Sequence, residues 1–287
     1  MKKQYFSIVL NLFLIVSGVF VLASCNSGNT EDTTAEQPDS EPTTEEPADI
    51  NEEAQFQMDL IVANNLSEPA VFLSEVNSAD QLDYHHEMTN SVENVSSYVT
   101  DVEKALGFGI YGADLSYESM FDKHQEMAAF LTTIQSLASQ LGLDMLFQDD
   151  DIARLESFDN NPDSVRMFIM EKYDEADEYL RNNERLLTSA LILTGGLIES
   201  MHLALIQMTG EEVNEDTYTM FLTQKNTLDN LIKLYNTLDS NSQTEQIAND
   251  LVALDKVVDS IGSFDNLTQE KLSELQVSVE NIRKKIV

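Results

Sequence analysis

The sequence predicts an all-α protein, an up-and-down antiparallel bundle of about seven helices. From residue 54 to residue 287, apolar residues recur at spacings of three and four, the period of a helix face. Alternating polar and apolar residues, which would indicate strands, are scarce. Only two prolines, Pro69 and Pro162, fall in this part of the chain. Short polar joints separate the apolar stripes, so consecutive helices should lie antiparallel.

The stripes define the predicted helices in chain order. They cover residues 127–141, 165–180, 186–208, 218–238, 247–261 and 272–286, and helical character is also present from residue 101. Asn161-Pro162-Asp163 marks a helix start, because Asn caps, proline fits the first turn and Asp complements the dipole. Ser242 and Glu245 have the spacing of a capping box, and Gly142 fits a helix C-cap. Two short helices are expected near residues 67–76 and 150–158.

The segment from Arg185 to Met208 is apolar or small on every side, which predicts a central helix packed on several faces. Gly195 and Gly196 would let a neighbouring backbone approach closely, at about 1 kcal/mol each in helix propensity. Glu199 and His202 interrupt the apolar run, which argues against a membrane-spanning helix.

Cys25 is the only cysteine in the chain, and it follows a segment with the layout of a secretory leader. Lys2 and Lys3 precede an uncharged apolar run, which ends in small residues. Leu22-Ala23-Ser24-Cys25 resembles the lipobox of bacterial lipoproteins, which implies removal of residues 1–24 and lipidation of Cys25. The alternative is a retained membrane anchor, since about 20 apolar residues can span a bilayer.

The location follows from the same segment. The strongly acidic stretch after Cys25 argues against a retained anchor. Asn26, rather than Asp, follows the cysteine, and this resembles the sorting signal for the outer membrane. We therefore expect a protein held to the outer membrane by the lipid on Cys25 and facing the periplasm or the cell surface.

The chain is strongly acidic, with 51 acidic and 16 basic residues and a formal net charge of −35. Such a polyanion repels nucleic acid and anionic lipid headgroups, so nucleic acid is not an expected partner. Residues 25–53 contain ten acids, three prolines and no base. This composition predicts a disordered tether that self-repulsion extends. The predicted order is a leader over residues 1–24, the lipidated cysteine and tether over 25–53, and a helical bundle over 54–287.

Glu199 and His202 give the sharpest chemical pattern in the bundle. Their i, i+3 spacing occurs in helical bundles that hold two-metal sites. Asp83 and His86 have the same spacing and would supply a second half. Further oxygen and nitrogen donors are Glu118, Asp122 and His124. The pattern is incomplete, so the favoured interpretation is a buried Glu199 paired with a hydroxyl or with His202. No metal or other cofactor is expected.

Gly107, Gly109 and Gly112 form a literal G-x-G-x-x-G. A dinucleotide site would need a strand before these glycines, whereas the preceding residues have helical character. We therefore predict that the glycines let two helices touch.

A polar face follows the same glycines. Tyr111, Asp114, Tyr117 and Glu118 share one side of the predicted helix. Two interpretations stay open: a buried polar network that fixes the helix register, or a pocket for a small ligand inside the bundle.

Four segments carry a resemblance to a known family. They are residues 91–100, 104–117, 137–143 and 190–200, and the most specific part is Gly109-Ile110-Tyr111-Gly112-Ala113-Asp114-Leu115-Ser116-Tyr117. Over about residues 56–210 the chain resembles an uncharacterised family of all-helical lipoproteins from Gram-negative bacteria. The resemblance implies a fold and a location, and it implies no catalytic residues.

Three functions are compatible with the sequence. The first is a membrane-tethered, non-catalytic helical lipoprotein of the bacterial envelope that binds a protein or another envelope component. The second is a small-ligand-binding or sensory bundle with a pocket at Tyr111, Asp114, Tyr117 and Glu118. The third is a metal-dependent enzyme with its site at Glu199 and His202.

Overall fold

The structure is a computed structural model, and the described residues are 52–63, 73, 84–121, 123–147, 150–158, 161–208, 215–239 and 241–287. These residues form helices and connections without a β-strand and belong to one compact unit. The predicted all-α bundle is therefore confirmed. The predicted leader, Cys25, the tether up to residue 51 and most of the helix expected near residues 67–76 lie outside the described residues.

Nine α-helices have their bounds within the described residues. They are α1 (Glu52–Ala63), α2 (Asp101–Met120), α3 (His124–Gln140), α4 (Asp151–Ser157), α5 (Pro162–Asn182), α6 (Leu186–Met208), α7 (Glu215–Thr237), α8 (Ser242–Asp259) and α9 (Gln269–Arg283). The short helix expected near residues 150–158 is present as α4. Helix α1 was not among the predicted stripes, although Ala54, Met58 and Ile61 are buried at spacings of four and three. Short 3-10 helices at His86–Met88, Val92–Ser97, Asp144–Leu146 and Phe264–Asn266 complete the elements.

The helix ends follow their local sequence. Asn161 caps α5 by accepting a hydrogen bond from the Ser164 N–H at 3.2 Å. Gly142 has a φ of 69°, the left-handed conformation that ends a helix, so the predicted glycine stop of α3 is confirmed, one residue after the C-cap Leu141. The predicted capping box at Ser242 and Glu245 is wrong by one residue. Asn241 is the N-cap of α8 and exchanges hydrogen bonds with Thr244, because the Asn241 side chain supplies the acceptor one position earlier.

Helix α6 is the centre of the bundle, as predicted. All its residues from Ser189 to Leu205 are buried, and it packs against α1, α2, α5, α7 and α9. Its most extensive contact is with α2, which is not its neighbour along the chain. The order of helices along the chain therefore predicts contacts between neighbours, such as α7 with α8. It does not predict the α2–α6 contact at the centre of the core.

Glycines bring α2 and α6 into backbone contact. A Cβ atom on Gly109 would lie 1.9 Å from the Ile192 carbonyl oxygen, and one on Gly195 would lie 2.0 Å from the Leu106 carbonyl oxygen. Neither position has room for any side chain. The prediction that the glycine motif serves helix contact is confirmed.

Segment Leu186–Ile206 is long and apolar enough to cross a membrane, and it is the one helix of that kind in the described part of the chain. Glu199 and His202 therefore do not shorten the apolar stretch below spanning length, although they were expected to argue against a membrane span in this way. In the bundle, 94% of its most apolar part is buried. Burial on all sides within the protein accounts for its apolar character.

Candidate functional site

A buried ion pair joins α6 to the last turn of α9. Arg283 donates from Nε to Glu199 Oε2 at 2.6 Å and from Nη2 to Glu199 Oε1 at 2.8 Å. Glu199 is fully buried, and the Arg283 side chain is 14% exposed. Two parallel hydrogen bonds of this kind use the planar fork of arginine and fix both groups in one geometry. The prediction that Glu199 pairs with a hydroxyl or with His202 is therefore wrong, because Arg283 engages both of its oxygens.

Asp114 on α2 adds a second buried carboxyl to this pair. Its side chain is fully buried, and Oδ2 accepts a hydrogen bond from the Asn90 N–H at 3.2 Å. Burial raises the pKa of Asp114 well above its usual range, and the nearby charge of Glu199 raises it further, against the opposing effect of Arg283. A proton on Asp114 leaves one negative and one positive charge in the cluster, and it lets Asp114 donate to Glu199.

His202 lies one turn from Glu199 on α6 and is 7% exposed. Burial lowers the pKa of its imidazole, so the neutral ring is favoured beside the Arg283 guanidinium. The backbone of Met88 lies within hydrogen-bonding reach of His202, and the Met88 carbonyl also accepts from Arg283 Nη2 at 3.4 Å. These contacts connect the cluster to the segment that precedes α2.

The metal site expected at Glu199 and His202 does not match the positions of these side chains. Arg283 occupies both oxygens of Glu199, which a metal would need. Among the described residues, no group of three or more His, Cys, Asp or Glu side chains is placed to hold a metal ion. Asp83 and Asp122, two of the expected donors, lie outside the described residues. Two other expected donors, His86 and Glu118, lie close together, with His86 Nδ1 3.4 Å from Glu118 Oε1. The remaining expected donor, His124, is the first residue of α3.

The polar face of α2 binds residues 84–98, which we call the strap. Tyr111, Asp114, Tyr117 and Glu118 are all fully buried, so the structure brings the four predicted residues together on one face. Besides the bond of Asp114, the contacts to the strap are Tyr111 OH donating to the Ser91 carbonyl (2.8 Å), the His85 N–H donating to Tyr117 OH (2.9 Å) and Glu118 with His86 (3.4 Å). The face therefore fixes a neighbouring segment of its own chain, as a buried polar network does.

Polar bonds and partly buried apolar side chains together hold the strap. Its two 3-10 helices, His86–Met88 and Val92–Ser97, contain no buried residue. Asn90 and Tyr98 are buried, and the Asn90 amide donates to the Tyr98 hydroxyl at 2.9 Å. The α2 face and the Glu199–Arg283 pair thus form one continuous network through Asp114 and Met88. We call this set the core network: Tyr98, Asn90, Tyr111, Asp114, Glu199, His202 and Arg283.

The chain matches no protein-family model, no curated protein and no solved structure. The resemblance to envelope lipoproteins stays a prediction.

Asp114→Asn should flatten the dependence of stability on pH. In the unfolded chain Asp114 ionises near its ordinary pKa of about 3.9. In the folded chain the pKa is raised, so the stabilisation linked to its proton is full at acid pH and is lost as the pH rises through the folded pKa. Asparagine stays neutral, accepts from the Asn90 N–H and donates to Glu199. We expect the variant to gain stability relative to wild type as the pH rises.

Urea denaturation of both proteins at pH 5 and pH 8 measures this difference. The matched control is Asp163→Asn, because Asp163 is an exposed carboxyl at the start of α5. If Asp114→Asn loses the same stability at both pH values, Asp114 is ionised in the folded protein.

Proposed function

We propose that this protein is a lipid-anchored, non-catalytic helical module of the bacterial outer membrane that binds a positively charged partner in the envelope. The anchor is the lipid on Cys25, and the supporting observation is Leu22-Ala23-Ser24-Cys25 at the end of an uncharged apolar run. Several acyl chains hold a protein stably where a single chain would be marginal. Residues 26–51 precede the first described helix, and they are the length available to separate it from the bilayer.

Burial of the core network supports a non-catalytic role. Its acids and its arginine bond each other and the strap, and Asp114, Glu199 and Tyr111 have no exposed surface. A catalytic acid or base must come within hydrogen-bonding distance of a substrate. These buried groups are instead arranged to hold α2, α6, α9 and the strap together.

The distribution of charge supports a cationic partner, and this is the observation that carries the proposal. Ten basic side chains of the described residues each lie within 4.0 Å of a carboxylate of the same chain. Lys225 alone contacts Asp229, Asp255 and Asp259. Because the chain has 51 acids and 16 bases, these pairs leave a large surplus of acids. The resulting potential attracts cationic surfaces and repels anionic ones.

Zero-length crosslinking between carboxylates and amines in intact cells tests the proposal. Wild type should give a specific product with an envelope protein or another amine-bearing envelope component. Cys25→Ala should leave an uncleaved or released form that no longer fractionates with membranes, and the product should be lost with it. Ser24→Ala is the matched control, because it keeps the cysteine and a small residue before it.

Salt gives a second readout. The Debye length, over which charges act through salt solution, falls from about 10 Å at 0.1 M salt to about 3 Å at 1 M. A contact made by surface charge should therefore weaken across this range of salt. A Cys25→Ala variant that matures, fractionates and crosslinks like wild type would contradict the anchor. A wild-type protein that gives no product would contradict the cationic partner.

A further inference from the structure

A cleft opens between the strap and α3. It has a volume of about 470 Å³, which lies within the usual range for small-molecule sites. His86, Asn90 and Ser91 from the strap form one wall. Gln125, Glu126 and Phe130 from α3 contribute to the other wall. The cleft borders the core network, with which it shares Asn90.

The walls differ in chemistry. Phe130 is 2% exposed, and together with Ala129 and Val92 it makes an apolar floor. Glu126 and Glu87 bring carboxylates to the rim. Glu87 pairs with His85 at 3.1 Å, whereas Glu126 forms no ion pair with a described residue. Lys123, at the start of α3, directs its ammonium to the Tyr84 ring, 4.1 Å from the ring centroid.

A further carboxylate stands behind His86. Glu118 is fully buried and contacts His86 Nδ1 through Oε1 at 3.4 Å, while its Oε2 has no hydrogen-bond partner. At 3.4 Å the Glu118 carboxylate lies at the long end of hydrogen-bonding distance from one nitrogen of the ring and favours one ring orientation. The His86 side chain itself is 65% exposed, so its other nitrogen is open to a ligand.

We propose that this cleft binds a small organic amine with an apolar body. The ammonium lies at Glu126, where a charge-assisted hydrogen bond to its carboxylate is available. The apolar body lies against Phe130 and Ala129. His86 and the polar groups of Ser91 bond any hydroxyl on the ligand. Anionic ligands of the same shape are rejected by the carboxylates at the rim.

This site does not depend on the lipid anchor or on the protein partner. None of its residues belongs to the leader or the tether, so an amine that fails to bind leaves the proposed function untouched, and the reverse also holds.

Calorimetry with two matched probes tests the proposal on the full-length protein purified in detergent. Tyramine and 3-(4-hydroxyphenyl)propionate share a phenol and a two-carbon arm but carry opposite charges. Tyramine should bind saturably with one site per chain, and the propionate should not bind. Glu126→Gln should weaken tyramine binding at least about tenfold, the usual effect of losing a hydrogen bond to a charged group. All variants share the same detergent background, so the difference between them reports the site.

Two further variants locate the site. Ala129→Leu fills the floor of the cleft from an exposed position, and it should abolish tyramine binding without changing the melting temperature. Glu270→Gln removes an exposed acid on α9, and it should leave tyramine binding unchanged. The proposal is overturned if tyramine does not bind, if both probes bind equally, or if Glu126→Gln and Ala129→Leu bind tyramine like wild type.

Discussion

Arg283→Met should lower the free energy of unfolding by about 3–5 kcal/mol at pH 7, the usual cost of removing one partner from a buried ion pair. Methionine fills much of the same apolar volume, so the loss reports the missing charge rather than a cavity. Glu199 would then lie fully buried with no cation and with Asp114 beside it. Arg283 also donates to the Met88 carbonyl, so the variant removes a hold on the strap. Urea denaturation followed by circular dichroism measures the change.

Lys285→Met is the matched control for this variant. Lys285 lies two residues further along and pairs with Asp250 at 2.7 Å, but its side chain is 47% exposed. An exposed pair of this kind contributes about 0–1 kcal/mol, because water and salt screen it. If the two variants lose the same stability, the buried pair does not hold α6 to α9.

The reciprocal change, Glu199→Gln, should cost less than Arg283→Met. The positive charge of Arg283 lies close enough to lower the pKa of Asp114, against the opposite effect of burial. Without Glu199, Asp114 can lose its proton and become the carboxylate that neutralises Arg283. The two partners of one ion pair are therefore unequal, because only the acid has a substitute nearby.

Most of the fold could be predicted from the sequence because it depends on local rules. Apolar spacing marked α3 and α5 to α9, and the chemistry of Asn161 and Gly142 marked helix ends. Helix α1 was missed although its buried residues follow the same spacing, because its first turn was assigned to the acidic tether. For the tight α2–α6 contact, the sequence predicted that glycines let two helices touch, but it did not identify the pair. Glycines indicate that some backbone comes close, but not which backbone it is.

The partner of Glu199 could not be predicted in this way. Arg283 is 84 residues away, and periodicity shows which residues are buried without showing which helices face each other. One indication was present in the sequence. Arg283 follows Leu275 and Val279 at intervals of four, so it continues the buried face of α9 in a position where a charge needs a partner. A basic side chain in the last turn also suits the negative end of the helix dipole, and that interaction needs no partner on another helix.

The strap was harder to place for a different reason. Residues 84–98 carry apolar side chains at intervals of three and four that pack on the core, but polar bonds to the face of α2 also hold the segment in position. Such contacts leave no repeating pattern, since each one depends on a particular distant partner. The sequence did identify the α2 half, as the polar face of Tyr111, Asp114, Tyr117 and Glu118.

Gly109→Ala should prevent folding or lower the free energy of unfolding by at least about 3 kcal/mol, at the upper end of what overpacking costs. The new Cβ would lie 1.9 Å from the Ile192 carbonyl oxygen and 2.6 Å from the Gly196 nitrogen. Both are backbone atoms of α6, so no rotamer change relieves the contact, and the two central helices must separate. The gain of about 1 kcal/mol in helix propensity is smaller than this loss.

Gly107→Ala is the matched control on the same helix. Its Cβ would meet the ring of Tyr98 at 2.5 Å, which is a side chain on the strap and not backbone of the core. Displacement of the strap relieves that contact, and the same helix propensity offsets part of its cost. We therefore expect Gly107→Ala to fold with a smaller loss than Gly109→Ala. If Gly109→Ala were as stable as Gly107→Ala, α2 and α6 would not be in backbone contact, because a methyl group cannot fit between a helix and a carbonyl 1.9 Å away.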